Sequence, residues 1–578
     1  NSITYSAIIY PVFFFALTVV AFFFMSREIF KNYNGVKKAN SIALIASLFL
    51  AISAALLPRT IAGIPEKESA AFFFLFLAIY FFIASWNSQK NMSRYLLVFF
   101  AALSTVAMAN IWGGYIFIFM TIAPAVYVLF VLNNVDNNKI FSYSVFVAVS
   151  FILMNLTSER YKISDLLTSI STAPAATVAF ILILHLFLFR SALGNKISAR
   201  FSKIPHTALS TIIGALVLVA TSIVFLGPSF IISQFYTILT NLTEPARSRL
   251  IQTVAENRQP YFTEWAANFG PVISNIQIVF WISLIAAVIL FYNVFSILKK
   301  KHQIFLTAAF TLFLAGIIFS RYSQSSIFNG DNSVSNFLYA GGFLVFVLSA
   351  GFYYYIYNKN NKPELKNIEF GPIILLSLFI LFIVAARSSV RTIMLLVIPI
   401  SVLTGYLIVA SFMNTRRGEN TSNKKIMAWI LFAAISLSAL FAAFQYYKET
   451  SFQAANYIPA SYNQQWQKAM AWVRENTPEG AVFAHWWDYG YWIQSIGKRA
   501  TVLDGGNSVS YWNHLMGRHV LTGTDEKSAL EFLKAHNATH FLIDSTDIGK
   551  YGAFSYIGSD ENLDRRSQIS SFSKNQNQ

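Results

Sequence analysis

Apolar residues fill long blocks over the first three quarters of this chain, separated by short charged interruptions. A membrane-spanning helix needs roughly 20 mostly apolar residues. Fourteen runs approach that pattern, beginning near Tyr5, Ser41, Ser69, Tyr95, Gly114, Ile140, Ala175, Thr207, Ser274, Ile304, Phe337, Phe370, Val390 and Ile426. Several are short or closely paired, so the pattern predicts 12–14 spanning helices over residues 1–445, with a long external loop at about 233–273. From about Gln445 the period changes. Trp466–Glu475 reads as an amphipathic helix, and Asp525–His536 as a second helix with Thr524 at its N-cap. Ala481–Ala484, Ala500–Leu503 and His540–Ile543 read as short buried strands. This alternation predicts a soluble α/β domain over residues 446–578. Its polar tail from Ser559 has no core signal and is expected to be disordered or cut short.

Composition agrees with a membrane chain. Hydrophobic residues make up 55% and charged residues only 12%, against roughly 25% charged in soluble domains. The net charge of +17 comes from basic residues between apolar runs, which is a topology signal and argues against nucleic acid as a partner. One set of alternating loops carries roughly twice as many Lys and Arg as the other. The bias predicts an external N-terminus, and an even helix count then predicts an extracytoplasmic C-terminal domain. The chain has no cysteine, which excludes disulfides, a thiolate nucleophile and thiolate-bound zinc. A metal site would therefore rest mostly on carboxylates.

Three clusters on the predicted outer side could carry chemistry. Glu66-Lys67-Glu68 places two carboxylates two residues apart in a loop, where they can converge on a hard cation such as Mg²⁺ or Mn²⁺. Alone, it reads more readily as a solvated charged loop at a membrane surface. Thr253-Val254-Ala255-Glu256 lies in the long loop, and long loops between elements are often functional. His485 to Trp492 packs three Trp and two Tyr around Asp488. A membrane-interface belt or a domain core would explain the aromatics but not the carboxylate. A carboxylate in an aromatic pocket can accept from a ligand hydroxyl and reject ligands lacking one.

Trp486-Trp487-Asp488-Tyr489-Gly490 resembles the WWDYG signature of oligosaccharyltransferase catalytic subunits, and other segments keep that family's motif order. Gly63 to Glu68 resembles the second acidic motif, and Trp112-Gly113-Gly114-Tyr115 a WGGY turn. Thr253 to Glu256 resembles the SVSE/TIxE motif. Arg387 to Met394 resembles the arginine segment, and Asp547 to Lys550 the start of the DxxK motif. The resemblance implies a multi-spanning α-helical membrane protein of GT-C type with a C-terminal α/β domain. It implies inverting transfer of an oligosaccharide from a polyprenyl (dolichyl) phosphate or pyrophosphate to Asn in Asn-X-Ser/Thr. Glu66 and Glu68 would ligate Mn²⁺ or Mg²⁺. Glu256 would sit at the same cation and engage the acceptor amide. Arg391, with Arg387 second, would clamp the lipid phosphate. Trp486, Trp487 and Asp488 would bind the sequon hydroxyl, supported by Asp547 and Lys550. The enzyme would be archaeal in type and work as a single subunit.

Three departures qualify the resemblance. The family's first acidic motif follows a helix that this chain is expected to lack, so as given it is expected to be catalytically incomplete. Glu66 stands where the family usually has Asp, and Phe554 where the DxxK motif continues with Met or Ile. Twelve helices are implied, against fourteen runs, and the extra pair is placed between Ser274 and Phe370. Two other classes compete. Another polyprenyl-phosphate-sugar glycosyltransferase would not need WWDYG, and a transporter would place ionisable groups at mid-membrane depth. Asn155, Asn241 and Asn537 each begin an Asn-X-Thr triplet open to self-modification.

Overall fold

The computed structural model describes residues 2–189, 204–243, 249, 253–359, 367–416, 422–456 and 463–565. The last thirteen residues of the polar tail lie outside the described residues. The chain forms two compact units. One comprises residues 1–245 and 259–456, the other residues 246–258 and 457–578.

All fourteen apolar runs are helical in the first unit. Among the described residues eleven helices are long and apolar enough to cross a membrane. Ala173–Phe189 and Ile278–Val294 are apolar but only 17 residues long. Val36–Ala51 spans 16 and opens on Lys37 and Lys38. Between Ser274 and Phe370 lie three helices, Ile278–Val294, Lys300–Phe319 and Ser333–Lys359.

The most enclosed helices are Phe370–Ser388 and the run Val390–Thr415. They approach their neighbours backbone to backbone through glycine. A Cβ on Gly371 would collide with the Ile29 carbonyl, and one on Gly405 would lie 2.7 Å from the Ile42 oxygen. Small residues at helix contacts permit this closeness where lipid offers no hydrophobic drive. Some polar side chains bond back to helix carbonyls, as an apolar medium favours. Thr105 donates to the Ala101 carbonyl at 2.9 Å, and Tyr143 to the Ala175 carbonyl at 3.0 Å.

The second unit has a three-stranded parallel sheet with Val482–Ala484 between Ala500–Thr501 and His540–Phe541. Parallel neighbours need helical crossovers, which these predicted strands receive. The helix Gln464–Asn476 is capped by Asn463, whose side chain accepts from the Trp466 amide at 3.0 Å. The helix Glu526–Ala535 is capped by Asp525, not by the expected Thr524. The Asp525 carboxylate reaches two amides, Lys527 at 3.2 Å and Ser528 at 3.1 Å, where a hydroxyl one residue earlier would not.

Candidate functional site

In the first unit the acidic loop is shaped by Gly63, whose φ of 83° lies in the left-handed region where side chains are disfavoured. The turn delivers Glu66 to Arg59, with Arg59 Nη1 donating to Glu66 Oε1 at 2.7 Å. Two residues on, Glu68 opens the helix Glu68–Asn87 and is fully buried. Arg391 Nη2 donates to Glu68 Oε1 at 2.9 Å. Oε2 of Glu68 is buried with no hydrogen-bond partner.

Arg391 sits where a helix breaks. Ser389 is extended between the helix Phe370–Ser388 and the 3₁₀ turn Val390–Leu396, and its hydroxyl accepts from the Arg391 amide at 3.3 Å. The Arg391 side chain is 38% exposed. Arg387 is different. It is buried, donates to Ser320 Oγ at 3.3 Å, and lies 4.4 Å from the Tyr339 ring centre. Arg321 pairs with Asp331 at 3.1 Å and lies 4.5 Å from the Tyr261 ring centre. Gly330, with φ of 90°, passes so close that a Cβ there would meet the Arg321 guanidinium at 2.6 Å.

Thus Glu66 and Glu68 share no partner in hand. Each takes its own arginine and keeps its second oxygen. Among the described residues no three His, Asp or Glu converge as a metal site. The two carboxylates nevertheless fit a hard cation, because the donors are all oxygen and the orphaned Glu68 Oε2 is already desolvated.

Glu256 lies in the second unit, exposed on a short 3₁₀ turn, Ala255–Asn257. Trp486 to Gly490 follow directly on the central strand. Strand ends of a parallel sheet present their loops together, as in other open α/β sheets. Lys550 Nζ lies 2.6 Å from Asp488 Oδ2 and donates to the Tyr489 hydroxyl at 2.9 Å. That hydroxyl donates to Asp547 Oδ1 at 2.6 Å and lies 3.1 Å from Thr546 Oγ1. Asp547 Oδ2 accepts the Asp544 amide at 2.9 Å. Trp486 is buried against the Phe554 ring, 4.6 Å between centres. Asp547, Lys550 and Phe554 recur at helical spacing on Asp547–Gly558, so one face of this helix meets the aromatic motif. Phe554, at the position where Met or Ile was expected, packs its ring at a tilt against Trp486.

Charge follows this geometry. Burial alone would lower the Lys550 ammonium, yet the hydrogen bonds and charge of Asp488 and Tyr489 raise it above its ordinary value. Burial and the Asp547 carboxylate push the Tyr489 phenol up. Burial holds His485 below the usual imidazole value. Its Nδ1 meets the Trp486 carbonyl at 2.5 Å, and its Nε2 is buried with no hydrogen-bond partner. Trp487 Nε1 is also buried with no hydrogen-bond partner.

The sequence thus named Asp488, Asp547 and Lys550 but missed Tyr489 as the hydroxyl that joins them. It also missed Arg59 as the partner of Glu66, since a seven-residue spacing across a turn has no periodic signature.

Comparison with known proteins places these residues in context. A family profile described as oligosaccharyl transferase STT3, N-terminal, matches residues 2–270, and the STT3/PglB/AglB core domain matches residues 479–547. The chain is 37% identical over 95 residues to dolichyl-phosphooligosaccharide-protein glycotransferase 1 of Pyrococcus furiosus, covering 16% of this chain and 10% of that one. It is 23% identical over 567 residues to the STT3B subunit of dolichyl-diphosphooligosaccharide–protein glycosyltransferase from Oryza sativa, covering 93% and 68%. The Archaeoglobus fulgidus oligosaccharyltransferase AglB, solved with an inhibitory peptide and a dolichol-phosphate, shares the fold at a TM-score of 0.59 and 17% identity, covering 95% of this chain and 59% of that one. The same enzyme has been solved with zinc and sulfate, at a TM-score of 0.55. This chain therefore spans about three fifths of the length of that solved relative.

Proposed function

We propose, from the premise that this chain belongs to the STT3/PglB/AglB family of oligosaccharyltransferases, that it transfers an oligosaccharide from a polyprenyl phosphate or pyrophosphate to Asn in Asn-X-Ser/Thr. The observation that carries this is the connected acceptor network of Asp488, Lys550, Tyr489 and Asp547 beside Trp486 and Trp487. Asp488 would accept from the sequon hydroxyl. Lys550 orients that carboxylate, and Trp486 and Trp487 wall the site. A ligand lacking the hydroxyl would leave a partly desolvated carboxylate short of a donor, a penalty of about 1–3 kcal/mol.

Arg391 would bind the donor phosphate. It is the better placed of the two candidate arginines, being partly exposed, whereas Arg387 is buried against Tyr339. Glu66 and Glu68 would hold Mg²⁺ or Mn²⁺, which when bound neutralises charge on the leaving phosphate. That the archaeal relative was solved with zinc and sulfate supports a cation and an anion in this fold. Glu256 would accept an N–H of the acceptor amide, restrain its conjugation and take the proton lost. In the transfer the amide nitrogen bonds to the sugar C1 as the C1–O bond to phosphate breaks, inverting that carbon. The active side would be extracytoplasmic and the enzyme a single subunit of archaeal type.

Binding of a fluorescent Asn-X-Thr peptide to the purified chain, read by anisotropy against the same peptide with Ala for Thr, tests this reading. The expected result is binding of the Thr peptide about tenfold tighter than of the Ala peptide. Binding indifferent to that Thr would overturn the reading in favour of another polyprenyl-dependent glycosyltransferase.

A further inference from the structure

Residues 246–258 lie in the chain between membrane-unit segments, yet they group with the C-terminal unit. Arg249 makes the contacts described for the start of this segment. Its Nη1 donates to the carbonyl of Ser559 at 2.5 Å and of Tyr556 at 3.4 Å, and its Nη2 to that of Asp560 at 2.8 Å. The guanidinium also lies 5.5 Å from the Tyr556 ring centre. These carbonyls close the C-terminal end of the helix Asp547–Gly558. A helix end leaves its last carbonyls unpaired within the helix and carries partial negative charge, so a forked cation suits it. A second guanidinium, Arg518, takes the Gly558 carbonyl at 3.1 Å and pairs with Asp564.

The opposite end of that helix carries Asp547 and Lys550, which build the acceptor network. Twelve helical residues rise about 18 Å. One rigid element thus has the acceptor network at its N-terminal end and the Arg249 contact at its C-terminal end. Seven residues beyond Arg249 stands Glu256.

We infer that Arg249 is a positioning residue that clasps the Glu256 segment to the acceptor helix, so that the amide-engaging carboxylate and the hydroxyl-selecting carboxylate travel on one body. This rests on the transfer reaction proposed above. Arg249 acts through Glu256 and touches no reacting atom. Its loss should loosen the segment, although Thr253, Glu256 and Arg258 have interactions of their own, while leaving Asp488, Lys550, Tyr489 and Asp547 bonded to one another.

The absence of cysteine makes a direct test available. Asn257→Cys in the full chain, held in lipid nanodiscs, takes a single nitroxide label one residue from Glu256. The label should report slow motion with Arg249 present, fast motion with Arg249→Ala, and intermediate motion with Arg249→Lys. Sequon-peptide affinity, measured by fluorescence anisotropy without donor, should stay within about twofold in Arg249→Ala. Unchanged label motion in Arg249→Ala would overturn the clasp. So would a parallel loss of peptide affinity and thermal stability, since that pattern marks a residue that only holds the fold. A wild-type chain that binds the Thr and Ala peptides alike would count against the proposed reaction, whereas the label decides the clasp by itself.

Discussion

Glu68 and Asp488 are both acidic side chains held by one cation, but their surroundings differ. Glu68 is fully buried and meets an arginine 323 residues away, with one oxygen left unbonded. Asp488 is 28% exposed, and its lysine is shared with a tyrosine that reaches a second carboxylate. The Glu68 pair stands alone, and the Asp488 pair belongs to a connected network. A carboxylate taken wholly out of water needs a counter-charge close by. At the end of a sheet, neighbouring loops supply several partners at once. The difference teaches where substitutions should act independently and where they should not.

The largest effect is expected at Arg391. Arg391→Leu strands the buried Glu68 carboxylate and should destabilise the membrane unit by about 3–5 kcal/mol. Thermal unfolding in detergent measures it, and Glu68→Gln in the same background should restore much of the loss. If Arg391→Leu proves neutral, Glu68 is not held as an isolated pair.

The connected plan predicts non-additivity. Asp488→Ala and Lys550→Ala should each weaken binding of a sequon peptide about 10–100-fold, the range of a charged hydrogen bond. The double variant should be little worse than either, and a fully additive cycle would show that no network exists. Tyr489→Phe should lose less, since Asp488 keeps its lysine.

A smaller effect belongs to the half-buried Arg59–Glu66 pair. Arg59→Gln releases Glu66 and should cost about 1–2 kcal/mol, between a surface pair and a fully buried one. It should tighten Mn²⁺ binding severalfold, read by Mn²⁺ electron paramagnetic resonance. Weaker binding would place Glu66 outside any cation site.

The smallest is a pH effect confined to the α/β unit. His485 is held below its ordinary value of 6.5 by burial. Below pH 6.5 the unfolded chain takes up a proton that the folded chain resists, so stability falls between that value and the lowered one. Lys550 has the opposite sign. Its contribution is complete below 10.5 and is lost only as pH rises through its raised value. Unfolding of the His485→Asn variant should lose the acid-side slope alone.

Hydropathy made the membrane helices legible because length and composition decide them. Even the borderline run at Ser41 became the helix Val36–Ala51. The α/β alternation was legible for the same reason, down to the central strand before Trp486. Asp488 stood out because a carboxylate among tryptophans is chemically odd. What stayed hidden was pairing at a distance. Nothing near Glu68 points to Arg391, and nothing near Arg249 points to the Ser559 carbonyl. Such contacts depend on tertiary closeness, which periodicity does not encode. The N-cap at Asp525 was missed by one residue because Thr524 and Asp525 both suit a cap and only backbone direction separates them.

The C-terminal unit is discontinuous, and this has a consequence for biosynthesis. Arg249 leaves the ribosome 310 residues before the Ser559 carbonyl that it grips. Throughout that interval the remaining helices are inserted and the sheet is made while the segment waits undocked. The unit can therefore close only after nearly the whole chain has been translated. A long-range closure of this kind is a late, slow step in folding. A C-terminal fragment starting after Asn456 would lack one strip of its own surface, so the natural folding unit of the soluble part is not any contiguous stretch of sequence.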